Sequence, residues 1–216
     1  MSGREAFAAE YGIDDALLAR FGMYADALMQ AQSQMNLVGP ATLADIWGRH
    51  FADSAQLLPL GVVGPWLDLG AGAGFPGMVL ALLGARVDLV EATGKKANFL
   101  EETAAQLGLG DRVRVHHARA ELMVPFPVAN ITARALAILP KLFDWGVRFA
   151  AQDTRWVLPK GARVEAELAE ARADWAFDAV LVPSRTSDEG RIVIATDVAR
   201  KGRDAARNRQ SKGRRR

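Results

Sequence analysis

The chain has 216 residues, half of them hydrophobic, with no cysteine and a formal net charge of +2. That length buries one substantial core but not a cofactor domain plus a separate substrate domain. The missing cysteines exclude disulfides, thiolate metal sites and cysteine nucleophiles, and no uninterrupted apolar run reaches the ~18 residues of a membrane span. Residues Ser2 to Glu5 lack the basic-then-apolar pattern of an export signal, so a cytoplasmic location is expected. Residues 1–63 predict a helical extension packed on the core, with Leu17, Phe21, Tyr24 and Leu28 on one helix face. Gly39-Pro40 breaks that helix. A second helix is expected from Ala41 and a third from Arg49, where Phe51, Ala55 and Leu58 recur at helical spacing.

The core is expected over 64–198. Strands are predicted near 65–69, 86–91, 112–117, 127–132, 154–158, 176–182 and 191–196, and helices near 76–83, 94–107, 136–150 and 162–174. The alternation implies an α/β, mostly parallel seven-stranded sheet with helices on both faces. Only Ser184–Gly190 separates the last two strands, too short for a crossover helix, so they must form an antiparallel hairpin. Residues 199–216 read as a basic tail. From Arg200 onward it carries a net +8 against −6 for the rest of the chain, and its composition predicts no packed structure. Such a tail either neutralises nucleic-acid phosphates or merely keeps the chain soluble.

Residues 68–77 read Asp-Leu-Gly-Ala-Gly-Ala-Gly-Phe-Pro-Gly between an apolar strand and an apolar helix. Such a strand, glycine turn and helix make a bed for a nucleoside cofactor. Gly70, Gly72 and Gly74 allow a tight turn and close backbone approach to a ligand, and Pro76 suits a first helical turn. Gly72, Gly74 and Gly77 fit the dinucleotide pattern G-x-G-x-x-G, whereas the register from Asp68, D-x-G-x-G-x-G, resembles motif I of class I S-adenosylmethionine methyltransferases. Glu91, 21 residues beyond Gly70, suits the ribose of either cofactor. The terminal hairpin favours S-adenosylmethionine over a nicotinamide.

Ligands on open α/β sheets lie beyond the carboxyl ends of the strands. The residues expected there are Gly70 to Phe75, Glu91, Ala120 and Glu121, Thr132-Ala133-Arg134-Ala135, and Pro159-Lys160-Gly161. Ala120 and Glu121 would flank an adenine, although Glu121 also suits a solvated helix start. Arg134 and Lys160 could meet phosphate or a guanine edge, and Lys160 equally could face water. Lys95 and Lys96 open a helix where the dipole disfavours cations, which points to an external anion such as RNA or to a plain solvated face. His50, Asp53 and Ser54 share a helix face as a groove cluster or a tether to the core. His116 and His117 point to opposite faces of a strand and cannot chelate one metal, so none is expected. Trp66, Trp156 and Trp175 lie in apolar runs that predict core packing.

Several of these segments resemble the RsmG (GidB) family, bacterial enzymes that form 7-methylguanosine at guanine 527 of 16S rRNA, in the 530 loop. The likeness lies in Asn36-Leu37, Arg49-His50 with Asp53-Ser54, Leu67 to Gly77 with its Gly-Phe-Pro-Gly ending, Gly94-Lys95-Lys96, Ala120-Glu121, Arg134-Ala135 and Lys160-Gly161. It implies a class I methyltransferase fold with S-adenosyl-L-methionine held at Gly70, Phe75, Ala120, Glu121 and Arg134. Together with the motif reading, the expected cofactor set is Asp68, Gly70, Gly72, Gly74, Phe75, Glu91, Ala120, Glu121 and Arg134. Arg134 and Lys160 are expected at the reacting base for positioning and substrate contact. RNA contact is expected at His50, Lys95, Lys96, Lys160, Arg200, Lys201 and Arg203. The partner implied is 16S rRNA or the 30S subunit, met by a monomer without a metal. Family members often carry aspartate at the position of Glu91, Gln32-Ser33-Gln34-Met35 replaces an aromatic-Asn pair, and the Arg-rich tail is outside the family pattern.

Guanine N7 has an in-plane lone pair and no proton to lose, so no general base is expected. Cytosine or uracil C5 would need a cysteine. Exocyclic amines are usually served by an Asn-Pro-Pro-aromatic segment, where this chain reads Thr132-Ala133-Arg134-Ala135. Two other readings remain: an NAD(P)-dependent oxidoreductase, and a non-catalytic RNA-binding protein of the same fold.

Overall fold

The computed structural model describes residues 3–202. The chain opens with helices α1 (Gly3–Tyr11), α2 (Asp15–Gln32) and the short α3 (Pro40–Leu43). The Asp14 carboxylate caps α2 by accepting from the Leu17 N–H at 2.7 Å. A π-helical turn, Trp47–Ala52, runs into α4 (Asp53–Ala55) where the sequence predicted an ordinary helix from Arg49. Phe51 and Ala55 are buried as that spacing required.

The alternating core follows as β1 (Trp66–Leu69), α5 (Gly77–Leu82), β2 (Val87–Glu91), α6 (Gly94–Gln106), β3 (Val113–His117), β4 (Val128–Thr132), α7 (Leu139–Gly146), β5 (Ala150–Lys160), α8 (Val164–Asp174), β6 (Trp175–Pro183) and β7 (Arg191–Arg200). The sheet order is β3-β2-β1-β4-β5-β7-β6. Strands β1 to β5 run parallel, and β7 lies antiparallel between β5 and β6. The order reverses between β1 and β4, and a crevice for a ligand opens at such a switch point beyond the strand ends. The seven-stranded sheet and its antiparallel hairpin are as the sequence predicted.

Two apolar clusters cover the two faces. Phe21, Tyr24 and Leu28 of α2 join Phe51, Leu80, Leu89 and Leu100 in one continuous core, so the N-terminal helices share their interior with the sheet. Phe143, Leu168, Trp156 and Trp175 fill the other. Trp66, Trp156 and Trp175 are all buried.

Three further segments differ from expectation. Residues 136–138 form a loop, and α7 starts only at Leu139, with Pro140 in its first turn. Pro76 takes the cap position before α5, not a place inside it. Strand β7 extends through Arg200, which pairs with Trp175, so the sheet claims residues assigned to a tail from 199. The Arg200 guanidinium lies 3.2 Å from Asp144 Oδ1 and 5.1 Å over the Trp175 ring. The Lys201 N–H donates to Asp174 O at 2.9 Å, and its ammonium to Arg172 O. Arg203 lies outside the described residues.

Buried Asn130 of β4 clamps the segment before β1: its Nδ2 donates to Val62 O and its Oδ1 accepts from Val62 N, both at 2.8 Å. Asn130→Leu strands both backbone groups and should lower stability by about 2–4 kcal/mol. Urea unfolding checks this, and an unchanged midpoint would contradict it.

Candidate active site

The glycine turn begins where β1 ends. Gly72 (φ 57) and Gly74 (φ 97) adopt left-handed backbone that side chains rarely tolerate. A Cβ on Gly74 would lie 2.5 Å from the Tyr24 hydroxyl, so that glycine serves the interior. A Cβ on Gly72 would meet only Gly70 O, at 3.8 Å, and would project into open space.

Three side chains fix the turn. Asp68 Oδ2 accepts from the Gly77 N–H at 2.8 Å, the Tyr24 hydroxyl donates to Ala73 O at 2.6 Å, and Glu91 Oε2 accepts from the Gly72 N–H at 2.9 Å. Glu91 Oε1 also accepts from the Thr93 N–H at 2.7 Å. Asp68 is fully buried and lies beneath the turn; its Oδ1 has no hydrogen-bond partner among the described residues. Burial pushes its carboxyl up from 3.8 to about 7, although the Gly77 N–H opposes this.

Opposite the turn lies Arg134. Its Nη2 donates to His50 Nδ1 at 2.8 Å, and its Nη1 reaches Arg49 O at 3.2 Å and Asp53 Oδ2 at 3.4 Å. The guanidinium carbon stands 4.7 Å over the Phe75 ring, on which His50 also stacks at 4.8 Å. A guanidinium only donates, so Nδ1 of His50 carries a lone pair and its proton resides on Nε2. Nε2 then donates to Thr42 Oγ1 at 2.9 Å, and that hydroxyl donates to Gly39 O at 2.7 Å. Burial, reinforced by Arg134, pushes His50 down from 6.5 to about 4. Burial also lowers Arg134 from its ordinary value, while Asp53 opposes the shift. The π-helical turn and the first residue of α4 thus present Arg49 O, His50 and Asp53 to one cation. The cluster that sequence spacing left open between groove and tether is both.

A cavity of ≈ 980 Å³ separates these groups, lined among others by Gly72, Phe75, Glu91, Lys96, Arg134 and Lys160. The two lysines that open α6 face different ways: Lys96 lines this cavity, and Lys95 lines a separate groove between α2 and α6. Lys160 does not offer a free cation. Its ammonium lies 2.7 Å from Glu167 and donates to Ala137 O at 2.8 Å. His50 likewise has both ring nitrogens committed within the protein.

Ala120 and Glu121 sit in a 3-10 turn beyond β3, outside the residues that line the cavity. The Glu121 carboxylate is exposed and 3.7 Å from Arg119. Arg200 and Lys201 lie far from the cavity: β7 enters at its rim with Arg191 and ends at the opposite end of the sheet, about 30 Å away at the rise of a strand. Sequence reasoning missed Tyr24, Thr42 and Glu167 as parts of the site. Only Tyr24 had a signal, a hydroxyl within an otherwise apolar helix face.

Asp68 and His50 titrate in opposite senses over nearly the same interval. The raised Asp68 contributes stability that is full below 3.8 and lost as pH rises through about 7. The lowered His50 contributes stability that is full above 6.5 and lost as pH falls through about 4. Asp68→Asn should therefore gain stability relative to the unsubstituted protein as pH rises through its interval, by up to about 1.4 kcal/mol per pH unit. His50→Gln should gain relative stability as pH falls. Urea titrations across the range check both signs, and parallel pH profiles for the three proteins would contradict them.

The family model of rRNA small subunit methyltransferase G (GidB) matches residues 17–191. The ribosomal RNA small subunit methyltransferase G of Methylobacterium sp. (strain 4-46) is 43% identical over 207 residues, 92% of this chain and 97% of that protein. Its counterpart in Rhizorhabdus wittichii is 41% identical over 181 residues, 82% of this chain and 83% of its own. Among solved structures, the O-methyltransferase from Bacillus cereus in complex with SAH matches with a TM-score of 0.54 at 17% identity, covering 81% of this chain and 90% of that one. The glycopeptide N-methyltransferase MtfA complexed with S-adenosyl-L-homocysteine matches at 0.58 with 11% identity, covering 68% and 89%. At such identities the likeness establishes the fold alone, that of the class I methyltransferases. Sequence identity along nearly the whole chain establishes more: the protein belongs to the rRNA small subunit methyltransferase G (GidB) family.

Proposed function

We propose that the chain transfers the methyl group of S-adenosyl-L-methionine to N7 of a guanine in small-subunit rRNA, guanine 527 in the 530 loop of 16S rRNA. Family membership supports the rRNA substrate. The observation that carries the cofactor is the cradle itself: a left-handed glycine whose missing Cβ leaves open space at the cavity wall, facing a carboxylate at the tip of the next strand. Each Glu91 oxygen accepts one backbone bond and keeps acceptor capacity for a ribose hydroxyl. The cavity lies at the upper end of the ~300–1,000 Å³ typical of small-molecule sites, enough for a nucleoside with a base beside it.

When bound, S-adenosylmethionine supplies a methyl already activated by its sulfonium, and guanine N7, with a free in-plane lone pair, has no proton to be removed. The described residues suit that economy. Burial keeps His50 neutral near pH 7 and its ring nitrogens are occupied, and the Lys160 ammonium is paired with Glu167. The work left to the protein is positioning. Gly72 and Glu91 hold the nucleoside end, and Arg134 on its Phe75 platform sets the wall beside the reacting groups. Because Asp53 lies beside Arg134, less of its positive charge acts on a base that becomes cationic. Lys95 and Lys96 would meet the RNA backbone on either side of α6, and Arg200 with Lys201 a more distant part of it. The partner is 16S rRNA or the 30S subunit in the cytoplasm. No helix among the described residues is long and apolar enough to cross a membrane.

The direct test is incubation with labelled S-adenosylmethionine and 30S subunits lacking the modification; absence of 7-methylguanosine in the recovered 16S rRNA would refute the substrate. Gly72→Val forces a branched side chain into left-handed backbone and into the cavity. It should weaken S-adenosylmethionine binding at least about 100-fold by calorimetry, a loss of roughly 3 kcal/mol. Undiminished affinity would contradict the cradle.

A further inference from the structure

Glu167, at the start of α8, lines the cavity although nothing in the sequence marked it. Its Oε2 is fully used, accepting from the Leu139 N–H at 3.0 Å and meeting the Lys160 ammonium at 2.7 Å. Both side chains are nearly closed off, with 8% of Lys160 and 13% of Glu167 exposed. Its Oε1 takes part in neither of these contacts. A half-used carboxylate in a pocket wall asks for a donor. Lys160 supplies the counter-charge that lets a carboxylate occupy such a closed place.

We propose that Glu167 reads the Watson–Crick edge of the target guanine, its Oε1 accepting hydrogen bonds from N1–H and the N2 amino group. The assignment rests on the guanine N7 reading above. Along the carboxyl edge of the sheet, the glycine turn follows β1, the 134–138 loop follows β4, and Lys160 ends β5. Adjacent strands are ~4.8 Å apart, so the tips of β1 and β5 lie about 10 Å apart. A guanine that turns N7 toward the cofactor over β1 turns N1 and N2 the opposite way, toward β5 and Glu167. A carboxylate only accepts. Guanine alone among the four bases offers two adjacent donors there. Adenine and cytosine set a ring lone pair beside their amine, and uracil flanks its single N–H with carbonyls. Glu167 thereby ties base choice to the same ion pair that holds Ala137 O and Leu139 N, the far end of the loop carrying Arg134.

The experiment compares methylation of 30S subunits reconstituted with guanosine or with inosine, which lacks only the N2 amino group, at the target position. The unsubstituted protein should favour guanosine by about 10- to 100-fold in kcat/KM, as expected for one hydrogen bond to a charged acceptor. Glu167→Gln should compress that preference to about threefold or less, chiefly by loss on guanosine. A purely structural Glu167 would lower activity on both substrates alike, and an unchanged guanosine preference in Glu167→Gln overturns the proposal. If the unsubstituted protein methylates neither substrate, the N7 reading itself has failed. Calorimetry with S-adenosylmethionine identifies any variant that has not folded; Glu167→Asp, which keeps the carboxylate, then takes its place and must retain part of the preference.

Discussion

A guanidinium withdrawn from water must find its acceptors within the protein, and much of this architecture follows from that need at Arg134. Its partners, Arg49 O, His50 Nδ1 and Asp53 Oδ2, all come from one short stretch of the N-terminal segment. The π-helical winding of that stretch brings a backbone carbonyl, an imidazole and a carboxylate together, where regular helix geometry would spread them differently. The same turn buries Phe51 among Phe7, Phe21, Tyr24, Trp47 and Phe75. The aromatic cluster that docks the N-terminal helices and the polar cluster that holds Arg134 are therefore two faces of one element.

The constraint extends to the glycine turn. Tyr24 reaches from α2 through the aromatic cluster to Ala73 O, so the helical segment pins the turn from behind while Glu91 pins it from the side. Among the groups that deep burial shifts here, Asp68 and His50 move in opposite directions because one loses charge and the other is kept from gaining it. Both stay uncharged over part of the acidic range. That limits the number of unscreened charges confronting the Arg134 cation.

Strand and helix alternation, the glycine register and the terminal hairpin were legible in the sequence because each is a local pattern with its own periodicity or turn chemistry. Arg134 was legible for a related reason: a cation directly after a buried strand must be accounted for. What stayed hidden depends on partners far apart in the chain. Tyr24 meets a carbonyl 49 residues away, and Leu139 meets Glu167 across 28. The late start of α7 has the same origin: tertiary bonds from Lys160 and Glu167 hold residues 137–139, overriding the apolar run that read as helix from 136. Arg200 was misread because its charge matches the residues after it. Its place in β7 is set by pairing with Trp175, which no local pattern announces.

Glu91 has one more implication. Its carboxylate is fastened by two backbone N–H groups before any ligand arrives, joining the tip of β2 to the turn after β1. The rotamer entropy of this side chain is thus surrendered during folding and not on association. An incoming sugar meets an acceptor array already locked in orientation, and a shorter acid here would have to bridge the same two amides from farther back. Ligand capture at this corner is accordingly inseparable from the integrity of the sheet edge: loosening either amide would unseat the carboxylate as well as the turn.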